Sequence, residues 1–373
     1  MTTSRAALLD PPVRPSTAGT LEVALVVPLQ GPAGIFGPSC EQCAQLAVEE
    51  INATHGVLGR ELRLLVVDGG APPERVANDV DVLVSAGAVD AVTGWHISAV
   101  RQVVAPRIAG RVPYVYTALY EGGERTPGVF LTGETPARQV RPALRWMAEQ
   151  LGVRRWVIVG DDYVWPKQSA AATRRYAHEL RLVICDEIYV RLGTADFDQV
   201  VLRVAAKRPD GVLMFLVGDD AVAFNRAFGR FGLDSTCVRF SPLMDENMLL
   251  ASGADNTRRL FAAAAFFESL ATRDSLDFGL CYNSKFGPDA PVLNSMGESC
   301  YEGVRLLVEL LNQAASDDLR RICAASEGVG YDGPRGSVHL HDRHLNQRVF
   351  LATADGLDFD VIDELRPQRP LDV

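Results

Sequence analysis

Two short segments concentrate side chains able to grip a small molecule. The first is Val115-Tyr116-Thr117-Ala118-Leu119-Tyr120-Glu121-Gly122-Gly123, and the second is Gly160-Asp161-Asp162-Tyr163-Val164-Trp165-Pro166. Tyrosine and tryptophan offer an apolar face with one polar tip, and threonine adds a hydroxyl. Such a set can wall a small pocket and satisfy a few ligand hydrogen bonds. Neither segment sets a nucleophile beside a base. The chemistry indicated is binding.

Other stretches match chemical motifs only formally. Cys40-Glu41-Gln42-Cys43 has C-x-x-C spacing, but with no second pair it reads as two packing thiols one helical turn apart. Gly328-Val329-Gly330-Tyr331-Asp332-Gly333 fits G-x-G-x-x-G. No strong strand precedes it, and Pro334-Arg335-Gly336 cannot open the helix a dinucleotide site needs, so a turn is expected. His339, His341 and His344 lie close together, with His339 and His341 on one strand face. Asp342 is the only carboxylate clustered with them, which favours a surface strand and turn over a metal site. No G-x-S-x-G, H-E-x-x-H or P-loop pattern occurs. No catalytic residue, metal or cofactor is therefore assigned.

The elements that must position the two segments alternate regularly. Each segment follows an apolar, strand-like run (112–115 and 156–159) and precedes a helical pattern. In an open α/β sheet, ligands bind outside the carboxyl ends of the strands. Strands are expected at 21–29, 62–67, 89–93 and 113–116, with helices from a Ser39-Cys40-Glu41-Gln42 capping box to about 54, at 74–85 and at 98–109. The pattern restarts near Pro136. Val140, Leu144, Met147 and Leu151 recur at helical spacing, then strands at 156–159, 182–189, 211–217 and 238–241 alternate with helices after Pro166, at 197–206 and at 221–231. A strand at 260–266 and a long helix at 295–313 complete the large elements. The expectation is an α/β protein of two doubly wound lobes with parallel-sheet cores, joined by about three hinge crossings. Its lobes take residues 21–135 plus about 267–330, and 136–266 plus about 331–373, behind a disordered tail at 1–20.

With 373 residues, 47% hydrophobic and 23% charged, the chain is long enough for two globular cores. Its net charge of −10 and lack of a basic stripe argue against direct nucleic-acid binding. No run of about 18 apolar residues signals a membrane span. Residues 1–20 contain Asp10 and Pro11, Pro12 and Pro15, with no apolar core of a secretory leader. The odd count of seven cysteines reads as reduced, buried thiols. Both observations favour a cytoplasmic location; a leader removed beforehand would make it periplasmic or extracellular.

The segment Ala47 to Arg60, with a Val-Pro-Leu-x-Gly run before it, resembles type I periplasmic-binding-protein folds of the branched-chain amino-acid group. The resemblance spans about 21–363. Tyr116-x-x-x-Tyr120-Glu121-Gly122 and Gly160-x-Asp-Tyr163-x-Trp165-Pro166 resemble the amide- and urea-binding branch, which includes the cytoplasmic amide sensor of aliphatic amidase operons. Carried over, the resemblance implies first-lobe ligand contacts at His96, Ser98, Tyr116, Thr117, Ala118 and Leu119, with Tyr120 added from the same segment. It implies second-lobe contacts at Tyr163, Trp165 and the Gly218-Asp219 loop. His96 replaces a Tyr of the sensor, and Ala118 and Asp219 each replace a Thr.

A neutral amide needs a donor for its carbonyl and acceptors for its NH₂, which Ser98 and tyrosine hydroxyls can supply without a buried charge. The reading is a ligand-gated cytoplasmic sensor of an amide or urea-like molecule, acting on a regulatory protein, with a homo-oligomer left open. The alternative is the substrate-binding component of an ABC importer for amides, urea or branched-chain amino acids. Asp219 divides these: at a helix start it favours the dipole, whereas in the cleft it would pair an ammonium group.

Overall fold

A computed structural model describes residues 19–366. Along the chain run β1 (Thr20–Val27), α1 (Gly37–Asn52), β2 (Glu61–Asp68), α2 (Pro73–Ser85), β3 (Ala91–Gly94), α3 (Ser98–Ile108), β4 (Tyr114–Tyr116) and β5 (Val129–Leu131). The second run is α4 (Val140–Gln150), β6 (Arg155–Asp161), α5 (Val164–Glu179), β7 (Val183–Val190), α6 (Asp198–Lys207), β8 (Gly211–Phe215), α7 (Asp219–Arg230), β9 (Val238–Ser241), α8 (Glu246–Ser252) and β10 (Leu260–Ala264). Then follow α9 (Arg273–Phe286), α10 (Ser295–Ala314), α11 (Leu319–Ala325), β11 (Gly330–Gly333), β12 (Gly336–His341), β13 (His344–Asn346), β14 (Phe350–Asp355) and β15 (Asp358–Glu364).

Two sheets form. The first has the order β11-β12-β13-β5-β4-β3-β1-β2, the second β15-β14-β10-β9-β8-β6-β7. β1 through β5 pair in parallel, as do β6 through β10. Fully buried strands such as Gly211–Phe215 and Leu260–Ala264 carry apolar residues on both faces because helices cover both faces of each sheet. The chain passes between sheets three times, after β5, after β10 and after β13. Two doubly wound lobes joined by three crossings match the expectation.

The division of the tail between lobes differs from it. Residues 331–346 do not join the second lobe: β11, β12 and β13 form an antiparallel extension whose last strand pairs with β5 through His344 and Leu131. Only β14 and β15 add to the second sheet, on β10. Short alternating strands carry no local signal of which sheet edge accepts them. The expected turn at 328–333 is in its second half β11, hydrogen-bonded to β12. Of the expected tail, residues 1–18 lie outside the described residues, and β1 opens at Thr20.

Local corrections have similar physical origins. α1 starts at Gly37 with Pro38 in its first turn, where proline's fixed φ suits a helix start. Ser39 is therefore inside the helix, donating to the Phe36 carbonyl at 3.0 Å, and not a cap. α9 escaped the periodicity because it buries only Ser275, Phe278 and Tyr282; Thr272 and Ser275 form its capping box. Cys40 and Cys43 pack inside α1, but Cys281 and Cys323 are exposed, so not all thiols are buried. Among the described residues no helix is long and apolar enough to cross a membrane.

The crossings are tied to one another. The Glu134 carboxylate accepts from the Ala265 N–H at 2.7 Å, and the Gln139 amide donates to the Ala263 carbonyl at 2.6 Å. Arg335, fully buried against Glu298 at 2.7 Å, donates to Gln347, whose amide donates to the Thr132 carbonyl at 2.8 Å.

Candidate functional site

The carboxyl ends of β3, β4, β6, β8 and β9 converge between the lobes. Trp95, His96, Ile97, Ser98, Tyr116, Ala118 and Leu119 arrive from the first lobe, and Tyr163, Trp165, Val217 and Leu243 from the second. They enclose a cavity of about 10 Å³, room for about one water. A second small cavity toward the crossings shares Trp95 and Leu119 and adds, among others, Thr117, Glu134, Ser299 and Arg335.

The first-lobe wall is rigid by construction. Gly94 has φ 127°, and a Cβ there would lie 2.3 Å from the Val26 carbonyl oxygen. Only glycine lets β3 approach β1 so closely, and this brings His96 against the end of β1. His96 Nδ1 lies 3.1 Å from the Val26 carbonyl and Nε2 lies 2.5 Å from the Tyr114 hydroxyl. The carbonyl only accepts, so Nδ1 carries the proton and Nε2 accepts from Tyr114. Complete burial holds His96 down to about 4, neutral at physiological pH. The Tyr116 hydroxyl donates to the His96 carbonyl at 2.7 Å. Burial raises the ionisation of Tyr114, Tyr116 and Tyr163, which keeps their hydroxyl protons in place.

Ser98 and Trp95 are the exceptions in this wall, and the Trp95 indole N–H is buried without a partner. Ser98 opens α3 and is 2% exposed; its Oγ lies beside the Tyr116 hydroxyl, close enough to favour that group's ionised form, but makes no well-formed hydrogen bond. An unpartnered buried hydroxyl costs about 1–3 kcal/mol, and a helix N-terminus favours negative charge or an acceptor oxygen. From the opposite lobe Tyr163 precedes α5, with its ring 6.3 Å from that of Trp165, which stands edge-on to Phe215 at 5.5 Å.

Not every expected contact residue joins this pocket. His96, Ser98, Tyr116, Ala118, Tyr163 and Trp165 line it. Thr117 turns to α10, accepting from Ser299 Oγ at 3.2 Å, and lines the second cavity. Tyr120 is removed from the pocket: its hydroxyl donates to His344 Nε2, whose Nδ1 donates to the Asp342 carbonyl. The Arg101 guanidinium lies 5.2 Å from the Tyr116 ring centre and 4.8 Å from that of Tyr120. It pairs with Glu121 at 2.7 Å and Glu124 at 3.0 Å. The Tyr-Glu-Gly run is thus clamped scaffold. Asp219 is exposed in the first turn of α7, outside the pocket lining.

Trp95, Ile97, Val217 and Leu243 are pocket residues that the reading of sequence left out. Applying the strand-end rule to β8 and β9, as to β4 and β6, finds Val217 and Leu243. No Asp, Glu, Lys or Arg lines the pocket.

Known proteins share this arrangement. A family model described as Periplasmic binding protein matches residues 20–358. The Leu/Ile/Val-binding protein homolog 6 of Brucella suis biovar 1 (strain 1330) is 23% identical over 355 residues, 90% of this chain and 87% of that protein. A solute binding protein of an ABC transporter from R. palustris, solved with 4-hydroxybenzoate, superposes with a TM-score of 0.82 at 20% identity, covering 94% of this chain and 98% of that one. The leucine binding protein LivK of Thermotoga maritima gives 0.81 at 19% identity, covering 93% and 99%. These relatives are binding proteins. With the match extending through both lobes and all three crossings, the chain belongs to the periplasmic binding protein family.

Proposed function

We propose that this protein is the solute-binding component of an ABC importer, taking a small ligand with a carbonyl or carboxylate head and a compact apolar body. The buried Ser98 Oγ at the start of α3, which makes no well-formed hydrogen bond, together with the unpartnered Trp95 indole N–H, carries the reading. Ser98 supplies a donor where the helix N-terminus also favours an acceptor oxygen. Trp165, Leu243, Val217 and the Tyr116 ring supply apolar walls. Asp219 is exposed and no carboxylate lines this cavity; Glu134, in the adjoining one, is already held by the Ala265 N–H. Burying an unpaired ammonium is costly, so free amino acids are disfavoured. Similarity to proteins that bind 4-hydroxybenzoate and benzoate supports an organic-acid head. In this reading the partner is a membrane permease and the protein works outside the cytoplasmic membrane.

The amide-sensor reading keeps only a neutral carboxamide head on Ser98. Its motif at Tyr120 and Glu121 serves the clamp on Arg101, which removes its main support. A thermal-shift screen with benzoate, benzamide, acetamide, urea and leucine separates the readings. Ligand at 100 times Kd stabilises by about 2.7 kcal/mol. Stabilisation by benzoate or a branched monocarboxylate is the expected result. A response confined to acetamide and urea favours the sensor, and tight leucine binding would overturn the ligand class.

A further inference from the structure

One cross-lobe contact lies outside the pocket. The loop between β1 and α1, in the first lobe, places the Pro32 carbonyl 2.9 Å from the Asp219 N–H of the second lobe, which donates to it. Gly218, just before, has φ 49° and ψ −115°, and a Cβ there would lie 1.9 Å from the Pro32 oxygen. On the other side of the same proline, a Cβ on Gly193 would lie 3.6 Å from Pro32 Cγ. Pro32 therefore sits between two second-lobe loops, one after β7 and one after β8, each with a glycine facing it.

Those loops are fixed by two buried acids. The Asp220 carboxylate accepts from the Gly193 N–H at 2.8 Å and the Thr194 N–H at 3.3 Å, and Asp161 accepts from the Val217 N–H at 2.9 Å. The two carboxyl groups lie close enough to act on each other's ionisation. Burial and the neighbouring Asp220 push Asp161 up to about 9, so the pair shares a proton at neutral pH. Neither acid lines the ligand pocket. Burying such a pair is unfavourable, and what it holds in place is the spacing of the Gly193 and Gly218 loops.

We propose that Pro32, Gly218 and the Asp161–Asp220 pair form a latch that holds the lobes closed over bound ligand, with the Asp219 N–H as its releasable bond. The proposal rests on the reading of the cleft as a binding site and adds residues that position the lobes without touching the ligand. A bond made only in the closed form slows ligand release and leaves encounter with the open form unchanged.

Asp219→Pro breaks that bond and sets the ring Cδ against the Pro32 carbonyl. It removes one N–H at the first position of α7, where proline is well tolerated, and the replaced side chain is exposed. Asp219→Ala keeps the N–H. With benzoate as probe, or whichever acid or amide the thermal-shift screen returns, Asp219→Pro should release ligand about 3- to 10-fold faster and weaken Kd by the same factor. Asp219→Ala should match wild type. Without ligand, small-angle scattering should show a larger radius of gyration for Asp219→Pro, and amide exchange in residues 30–36 should quicken. If Asp219→Pro does not fold, Pro32→Gly keeps the carbonyl but removes the ring beside Gly193 and loosens the loop, and a smaller rise in release rate is expected. An unchanged release rate and scattering profile would overturn the latch, as would equal losses in Asp219→Ala. If no probe binds wild type, the binding reading fails, while scattering and exchange still decide the latch.

Discussion

The two aromatic loops that face each other across the cleft are built for different tasks. Residues 116–124 of the first lobe are held from behind: Arg101 lies against two tyrosine rings and two glutamates, and Tyr120 is bonded to His344. The start of α5 in the second lobe presents half-buried Tyr163 and buried Trp165 toward the cavity. The segment with more polar groups thus contributes fewer free ones, because its polarity is consumed by the scaffold. The donors the first lobe leaves for the cavity are the Trp95 indole N–H and Ser98 Oγ, one loop away. A polar-rich loop in a cleft is evidence for a ligand grip only after its internal partners are counted.

The largest effect that would break this comparison concerns Arg101. Replacing it with Met strands the buried Glu121 and Glu124 carboxylates and should cost about 3–5 kcal/mol of stability. Urea unfolding would show it. A loss below about 1 kcal/mol would mean that the first-lobe loop is not clamped.

A second test uses pH. His96 titrates near 6.5 unfolded and at about 4 folded, so below 6.5 the unfolded chain takes up a proton that the folded one refuses. Its contribution is complete above 6.5 and falls by about 3 kcal/mol as pH drops toward 4. Asp161, raised to about 9, has the opposite sign: its term favours folding below 3.8 and weakens as pH rises through 9. The difference in pH slope between wild type and His96→Gln isolates the histidine. Parallel slopes would place His96 in solvent.

At the pocket, Ser98→Ala and Tyr163→Phe should each weaken binding of the screened ligand by about 1–3 kcal/mol, since each leaves a ligand group unpaired. Calorimetry decides it, and unchanged affinity removes that residue from the grip. The smallest effect sharpens the contrast. Tyr120→Phe should lower stability by about 1 kcal/mol through loss of the His344 bond and leave Kd unchanged. A fall in affinity without a fall in stability would return Tyr120 to the site.

Much of this molecule was legible along the chain. Apolar runs of strand length alternating with amphipathic helices specify parallel α/β lobes, because buried parallel strands and their crossover helices follow each other locally. The restart near Pro136 marked the second lobe, strand ends pointed to Tyr116, Tyr163 and Trp165, and the family resemblance to Ser98; all four line one cavity. The assignment of β11, β12 and β13 to the first sheet was not legible, since pairing between His344 and Leu131 joins residues more than 200 positions apart. Nor was the division of labour among polar side chains. Which of Tyr120, Thr117, Asp219 and Ser98 remains free depends on His344, Ser299, Pro32 and the fold that delivers them. Sequence determines where hydrogen-bonding groups stand along each element by local periodicity. Tertiary structure decides which are already satisfied, because their partners come from distant segments and burial makes each unmet bond costly.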